Sequence, residues 1–375
     1  MRRSAILVAM QRFRVTSPRL HYHVVMGRGA WRALRELASQ GYSSVFVVTE
    51  AALWKRWGKA FLRESRLKNA RFLFVPQGEK SKSLKMVERL AAQLLARGAD
   101  RRTLLVALGG GVVGDLGGFV AASYMRGIDF VQAPTTVVGQ VDSAIGGKTG
   151  VNVGAMKNLV GAFYPPRMVV AEPQVLSSMA PRAFRSGLYE VVKHGIISGQ
   201  RLFRELEAKM PSLHPRDIET LEPILALAAS VKVEVVSRDE REARLRLVLN
   251  LGHTFGHALE EATGYRRFTH GEAVGWGLLA VIRLGVRLNL LGSVDAMRMA
   301  ALVQRVGPLP RIDDIEPKRV LALLTQDKKS IGGRIQWVVP VRIGRVRIVA
   351  DVSPAMVADA FREVQQMAAS REFKV

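Results

Sequence analysis

The 375-residue chain contains no cysteine. That excludes disulfides and every thiolate metal site, so any metal must be held by histidine and carboxylate. No apolar run approaches the roughly 20 residues needed to span a bilayer, and a membrane-spanning helix is not expected. The start, MRRSAILVAMQRF, imitates a signal peptide, but its apolar stretch from Ala5 to Met10 is short. It meets Arg12 and Arg14 with no small-residue cleavage site between. It reads as an N-terminal extension of a cytoplasmic protein. Internal repeats and low-complexity tracts are absent as well.

Acid is scarce relative to base: 32 Asp and Glu against 56 Lys and Arg give a net charge of +24. Such a charge admits nucleic-acid binding through phosphate neutralisation. No aromatic-interleaved basic motif, helix-turn-helix or finger pattern accompanies it, so no specific nucleic-acid partner is expected. A basic surface with a pocket for a multiply anionic substrate accounts for the same composition.

The hydrophobic fraction of 48% fits an ordinary folded chain, and the length suggests about two domains. Up to about residue 178, short apolar runs alternate with helical patterns. SVFVVT (44–49), RFLFV (71–75) and TLLVAL (103–108) read as strands, with 130–132 and 168–171 as further candidates. Strands separated by helices imply a parallel sheet covered on both faces. Beyond Pro181, helical periodicity dominates, as in 221–239 and 273–291, with 336–340 the one short strand-like run. The expected architecture is an α/β domain over 1–178 followed by a helical domain over 179–375; the motifs that follow make the first Rossmann-like and nucleotide-binding and the second metal-binding.

Three segments carry chemistry. In GGGVVGD, Gly109, Gly111 and Gly114 satisfy G-x-G-x-x-G after the strand TLLVAL and before a helix expected near Asp115. Glycines let backbone approach a diphosphate, and a helix N-terminus supplies amides and a favourable dipole. The motif follows roughly the third strand rather than the first, and a tight packing turn is the competing reading. The second segment, Arg126 to Asn158, sets Thr135, Thr136, Asp142, Lys148, Lys157 and Asn158 among glycines. Lysines and amides in such loops suit phosphates, although surface lysines are commonly just solvated. In the third, three of the seven histidines, His253, His257 and His270, fall within eighteen residues. Glu190 and Lys193 lie three apart on another helix. One carboxylate and two imidazoles make a Lewis-acid site for Zn²⁺ or a similar ion; core or capping histidines are the alternative.

Taken together, these segments resemble the 3-dehydroquinate synthase family. The blocks GEKSKSL, LVALGGGVVGDLGGF, QAPTT, QVDSAIGGKTGVN, KNLVGAFYPP, GLYEVVKHG, DERE, LNLGHTFGHALE, HGEAV and QDKK run in family order from about 78 to 329. The resemblance implies a homodimeric enzyme that uses NAD and one Zn²⁺ or Co²⁺. It would convert 3-deoxy-arabino-heptulosonate 7-phosphate, an anionic sugar acid, into 3-dehydroquinate and phosphate. Other sugar-phosphate cyclases and polyol dehydrogenases are the alternatives. Glu190, His253 and His270 would hold the metal. Asp142, Lys193, Lys232, Arg246, Asn250 and His257 would line the substrate site, joined by Arg126, Lys148, Asn158, Lys328 and Lys329 at its anionic groups. NAD would contact Gly78, Glu79, Lys82, Gly110, Gly111, Val112, Val113, Gly114, Asp115, Thr135, Thr136, Lys148 and Lys157. Glu50 stands where family members often carry Asp or Asn, and Ala144 replaces a frequent Ser.

Overall fold

The computed structural model of the chain describes residues 10–154, 156–242, 244–327, 335–350 and 352–370. In chain order its elements begin with β1 (Gln11–Thr16), β2 (His21–Met26), α1 (Leu34–Ala38), β3 (Ser44–Glu50), α2 (Ala51–Ser65) and β4 (Arg71–Val75). There follow α3 (Leu84–Ala96), β5 (Thr103–Gly109), α4 (Gly111–Ser123), β6 (Phe130–Pro134), β7 (Lys148–Val153), β8 (Met156–Phe163) and β9 (Met168–Ala171). Then come α5 (Pro181–Ser198), α6 (Gln200–Lys209), α7 (Ile218–Arg238), α8 (His253–Ala262), α9 (His270–Arg287) and α10 (Ser293–Arg305). The chain closes with α11 (Pro317–Asp327), β10 (Trp337–Arg342), β11 (Arg345–Val349) and α12 (Pro354–Ala369). Two compact units result: Met1–Met179 with Pro215–Arg241, and Ala180–His214 with Glu242–Val375.

In the first unit a seven-stranded sheet runs β1-β2-β9-β6-β5-β3-β4. Only the β1–β2 pair is antiparallel. The central strands are largely apolar, and every residue of β5, β6 and β9 is buried, as a doubly covered parallel sheet requires. From β3 the chain steps outward to β4, then returns through α3 to β5 on the other side of β3. The C-terminal ends of β3 and β5 therefore flank the point where strand order reverses, the usual ligand crevice of such sheets. This explains why the glycine-rich loop follows β5. Two pairings give no sequence signal of the kind used above. One is the β1–β2 edge. The other is the antiparallel ribbon β7–β8, whose second strand is largely exposed. Helix α7, legible as a helix, packs on β1 and on the turn Gly139–Ser143, and so belongs with the sheet.

The second unit is built from α5, α6 and α8 to α12. The expectation of an all-helical domain is amended by the hairpin β10–β11, whose first strand takes up the short run near 336–340. Most of α5 is buried, from Phe184 to Ile197 with few gaps, although it carries Glu190, Lys193 and His194.

Glu172, just after β9, is 1% exposed and accepts backbone N–H groups from Gly29 at 2.5 Å and Gln174 at 3.2 Å. Burial pushes its carboxyl from 4.5 up to about 7, only partly opposed by those bonds. A folded-state value above the unfolded one contributes stability that is complete below about 4.5 and lost as pH rises through about 7. The loss amounts to about 3 kcal/mol. Glu172→Gln should abolish that share of the pH slope, whatever its absolute stability. Urea unfolding of both proteins from roughly pH 5 to pH 8 measures it; parallel curves would contradict the assignment.

Candidate functional site

In the second unit, Glu190 Oε1 faces the Nε2 atoms of His253, at 3.5 Å, and of His270, at 3.3 Å. The donor atoms of the three residues all lie within 4.8 Å of one another. Ligands placed roughly 2.0–2.2 Å from a tetrahedral ion stand about 3.4 Å apart, so the observed separations fit one divalent cation. Both imidazoles turn their other nitrogen outward. His253 Nδ1 donates to the carbonyl of Leu251 at 3.3 Å, and His270 Nδ1 lies 3.2 Å from Glu260 Oε2. Burial, and after it the charge of Lys193, holds His253 well below its ordinary value, so a lone pair is available. Desolvation also lowers His270, but hydrogen bonds to Glu190 and Glu260 outweigh it and lift the ring to about 10. Lys193 Nζ sits 2.5 Å from Glu190 Oε2, both side chains 1% exposed. His257, one turn after His253, is exposed, and its ring centroid is 5.5 Å from that of His253 and 5.9 Å from that of His270.

Close backbone approaches bring these side chains together. A Cβ on Gly277 would lie 1.9 Å from the Gly252 carbonyl oxygen, so α9 meets the start of α8 with no room for a side chain. Gly252 itself has φ +79, in the left-handed region, and ends the turn that launches α8 at His253. A Cβ on Gly271 would lie 1.8 Å from the Ser186 carbonyl oxygen, one turn before Glu190 and one residue after His270. Arg182 locks the same junction: it forks onto Glu272 at 2.7 and 2.8 Å, and Glu272 completes a capping box with Thr269 at the head of α9. In the same unit Arg246 is 2% exposed, and Asn250 donates to Glu242 at 3.2 Å.

In the first unit, α4 begins at Gly111, four residues earlier than its expected start, with Gly110 as an extended N-cap. Val112 and Val113 fill its first turn. A Cβ on Gly114 would meet the Gln132 side chain at 2.7 Å, so the helix hugs β6. The free amides of this N-terminus suit a diphosphate. Thr135 bonds the Gly109 carbonyl at 2.9 Å, and Thr136 Oγ1 accepts from Gly139 at 3.1 Å, tying the loops around it. Lys82, 5% exposed, pairs with Asp115 at 2.5 Å and donates to Asn158. Asn152 links Asn158, at 2.9 Å, to Glu79, at 2.8 Å. Residues assigned separately by sequence thus form one network. Asp142, on a π-helical turn, forms an ion pair with Lys232 of α7. Glu50 is half-buried at the end of β3, and burial raises its carboxyl. Gly78 takes φ +98 before the turn holding Glu79. Lys148 and Lys157 are exposed on the β7–β8 ribbon. Arg126 is exposed at φ +69, in a turn with Met125 at φ +49 and Gly127 at φ +125. Lys328 and Lys329 lie outside the described residues.

Sequence reading missed Asn152, Arg182, Glu260 and Glu272. Only the last left a usable signal, the T-x-x-E capping pattern at 269–272.

The family models described as 3-dehydroquinate synthase N-terminal and C-terminal match residues 72–186 and 187–330. A 3-dehydroquinate synthase of Solibacter usitatus is 41% identical over 94% of this chain and 99% of its own length. That of Koribacter versatilis is 40% identical over 96% and 99%. Among solved structures, a 2-deoxy-scyllo-inosose synthase complexed with carbaglucose-6-phosphate, NAD⁺ and Co²⁺ superposes with a TM-score of 0.82 at 25% identity, covering 94% of this chain and 99% of that one. A 2-epi-5-epi-valiolone synthase from Streptomyces hygroscopicus with NAD⁺ and Zn²⁺ bound gives 0.84 at 26%, covering 95% and 100%.

The junction of α5 and α9 yields a direct test. Gly271→Ala must force backbone apart at Ser186, a change that overpacking data put at about 1–3 kcal/mol or more. The expected result is a lower denaturation midpoint with an unchanged m-value. Wild-type stability would contradict the contact.

Proposed function

This chain belongs to the 3-dehydroquinate synthase family, and we propose that the residues gathered in its two units carry that family's reaction. The observation that carries the residue assignment is Glu190 Oε1 at 3.5 and 3.3 Å from two imidazole nitrogens, with Lys193 at 2.5 Å on its other oxygen. Glu190, His253 and His270 would hold one Zn²⁺ or Co²⁺, which would supply Lewis acidity toward neighbouring substrate hydroxyls. The α4 N-terminus from Gly110 to Asp115, with Glu50, Gly78, Glu79, Lys82, Thr135, Thr136, Lys148 and Lys157, holds NAD. That cofactor supplies hydride removal at C5 and its later return.

The remaining steps fall to the protein and the substrate. Lys193 stabilises negative charge on the C4 and C5 oxygens from a desolvated position, where its field is strong. Once C5 is a ketone, the C6 hydrogen is acidic; a phosphate oxygen takes it as the C7–oxygen bond breaks, while His257 or Lys148 orients the leaving group. Arg246, Asn250, Lys232 and Asp142 place the sugar acid, with Arg126, Asn158, Lys328 and Lys329 at its anionic groups. Ring opening and aldol closure follow within the bound molecule. Among the described residues no helix is long and apolar enough to cross a membrane; the working location is the cytoplasm.

Phosphate release from the heptulosonate phosphate, with NAD⁺ well below substrate, tests the reading. Phosphate should exceed total NAD many-fold with no net NADH absorbance. Chelation should stop release, and Zn²⁺ or Co²⁺ should restore it. Stoichiometric NADH would make the protein a polyol dehydrogenase instead.

The working unit is a homodimer in which Arg126 serves the partner's site. What supports this is its exposed, left-handed turn and the suitability of a guanidinium for gripping phosphate through two parallel bonds. Arg126→Ala and Lys193→Ala homodimers should each be nearly inactive. Subunit exchange between them should restore about one quarter of wild-type activity, because half the dimers then hold one intact site. Exchange without recovery would place Arg126 in its own chain's site.

A further inference from the structure

Within the trio, His270 faces carboxylates at both ring nitrogens: Glu190 at Nε2, 3.3 Å, and Glu260 at Nδ1, 3.2 Å. Glu260 is 4% exposed and sits on α8 seven residues after His253, so two turns of one helix supply both groups to the same face. A desolvated carboxylate costs several kcal/mol unless paired. An ionised carboxylate has no proton to give, so the bond to His270 runs from Nδ1–H to Oε2.

Glu260 also forms a second candidate metal trio with His257 and His270. That arrangement spends His270 twice. If both trios were filled, the ring would bridge two ions with neither nitrogen protonated, far from the ordinary state of imidazole. Its third member, His257, is exposed. One ion at Glu190, His253 and His270 needs only one bare nitrogen per ring, and both rings already turn Nε2 toward Glu190.

We propose that Glu260 is a positioning residue for the metal centre: it fixes His270 in the Nδ1–H tautomer and sets the ring's rotation, so that Nε2 presents its lone pair beside Glu190 and His253. The Leu251 carbonyl does the same for His253 at 3.3 Å. The carboxylate adds what a carbonyl lacks, a charge that makes the ring a more basic ligand. This rests on the reading of Glu190, His253 and His270 as ligands.

Zn²⁺ affinity, by competition with a chromophoric chelator, tests it on the wild type, Glu260→Gln and Glu260→Ala. Glu260→Ala should bind one ion about 10–100-fold more weakly. Glu260→Gln, whose amide oxygen can still accept from Nδ1–H, should recover most of that loss. In Zn²⁺-loaded wild type, ¹⁵N spectra of the labelled histidines should show His270 protonated at Nδ1 and metal-bound at Nε2, a readout independent of how the variants fold. Ligation through Nδ1, undiminished affinity in Glu260→Ala, or two ions per chain with one lost in Glu260→Gln would overturn the positioning role while leaving the metal reading intact. Wild type that binds no Zn²⁺ would overturn both.

Discussion

A carboxylate in the middle of an almost wholly buried helix sets the terms for the second unit. Glu190 is 1% exposed, flanked on α5 by Tyr189 and Val191, and water cannot solvate it. Removing a charge from water costs several kcal/mol even after relaxation, and the loss is repaid only by good geometry with opposite charge. Lys193 from the same helix supplies that charge in direct contact, while His253 from the head of α8 and His270 from the head of α9 bring ring nitrogens to the other carboxylate oxygen. Each helix therefore must arrive at a fixed depth and angle. The glycines at 252, 271 and 277 provide the closeness, and the fork of Arg182 on Glu272 holds the α5–α9 junction from the outer side. A divalent cation is the natural completion of this arrangement, since it adds positive charge where carboxylate and lone pairs converge.

The first unit solves a different problem with the same economy. An anionic diphosphate needs unpaired amides, and a helix N-terminus has them only if no side chain blocks the approach. Gly110 and Gly111 keep side chains off that approach, where a Cβ would meet Thr136 at 3.0 Å and Ser143 at 3.3 Å, while Gly114 lets the helix pack against Gln132 of β6. Around the helix start, Lys82, Asp115, Asn152, Asn158 and Glu79 are bonded to one another. Burial pushes Asp115 above the ordinary carboxylate range even beside Lys82.

How much of this was legible follows from what each signal measures. Central strands such as β5 and β9 are buried on both faces, so their sequences are unbroken apolar runs and their limits were read to within about a residue or two. β8 is exposed along most of its length, and β1 alternates at an edge; neither concentrates apolar residues enough to stand out. Periodicity identified α7 as a helix but carries no record of its partner, so its place beside β1 was not legible. The histidine cluster and Glu190 stood out because no cysteine competes for a metal and histidine is scarce. Glu260 did not, because a lone glutamate in an amphipathic helix is indistinguishable from a solvated one until its burial is known.

The distribution of the lysines narrows how an anionic substrate can be held. Lys82, Lys193 and Lys232 are all under 10% exposed, and each lies against a carboxylate: Asp115, Glu190 and Asp142. Much of their charge is answered locally, and pulling Lys193 away would strand the buried Glu190 at a cost of about 3–5 kcal/mol. They suit tasks in which the cation stays put: shaping a loop, stabilising an oxyanion that develops beside it, or fixing a carboxylate's direction. Gripping a phosphate that arrives and departs calls for cations that water can reach and release. Among the described cations of the proposed set, Lys148, Lys157 and Arg126 are exposed, on turns or on the β7–β8 ribbon. Burial thus distinguishes Lys82, Lys193 and Lys232, suited to a cation that stays put, from exposed cations suited to an anion that arrives and departs, and it does so without invoking the chain's overall excess of positive charge.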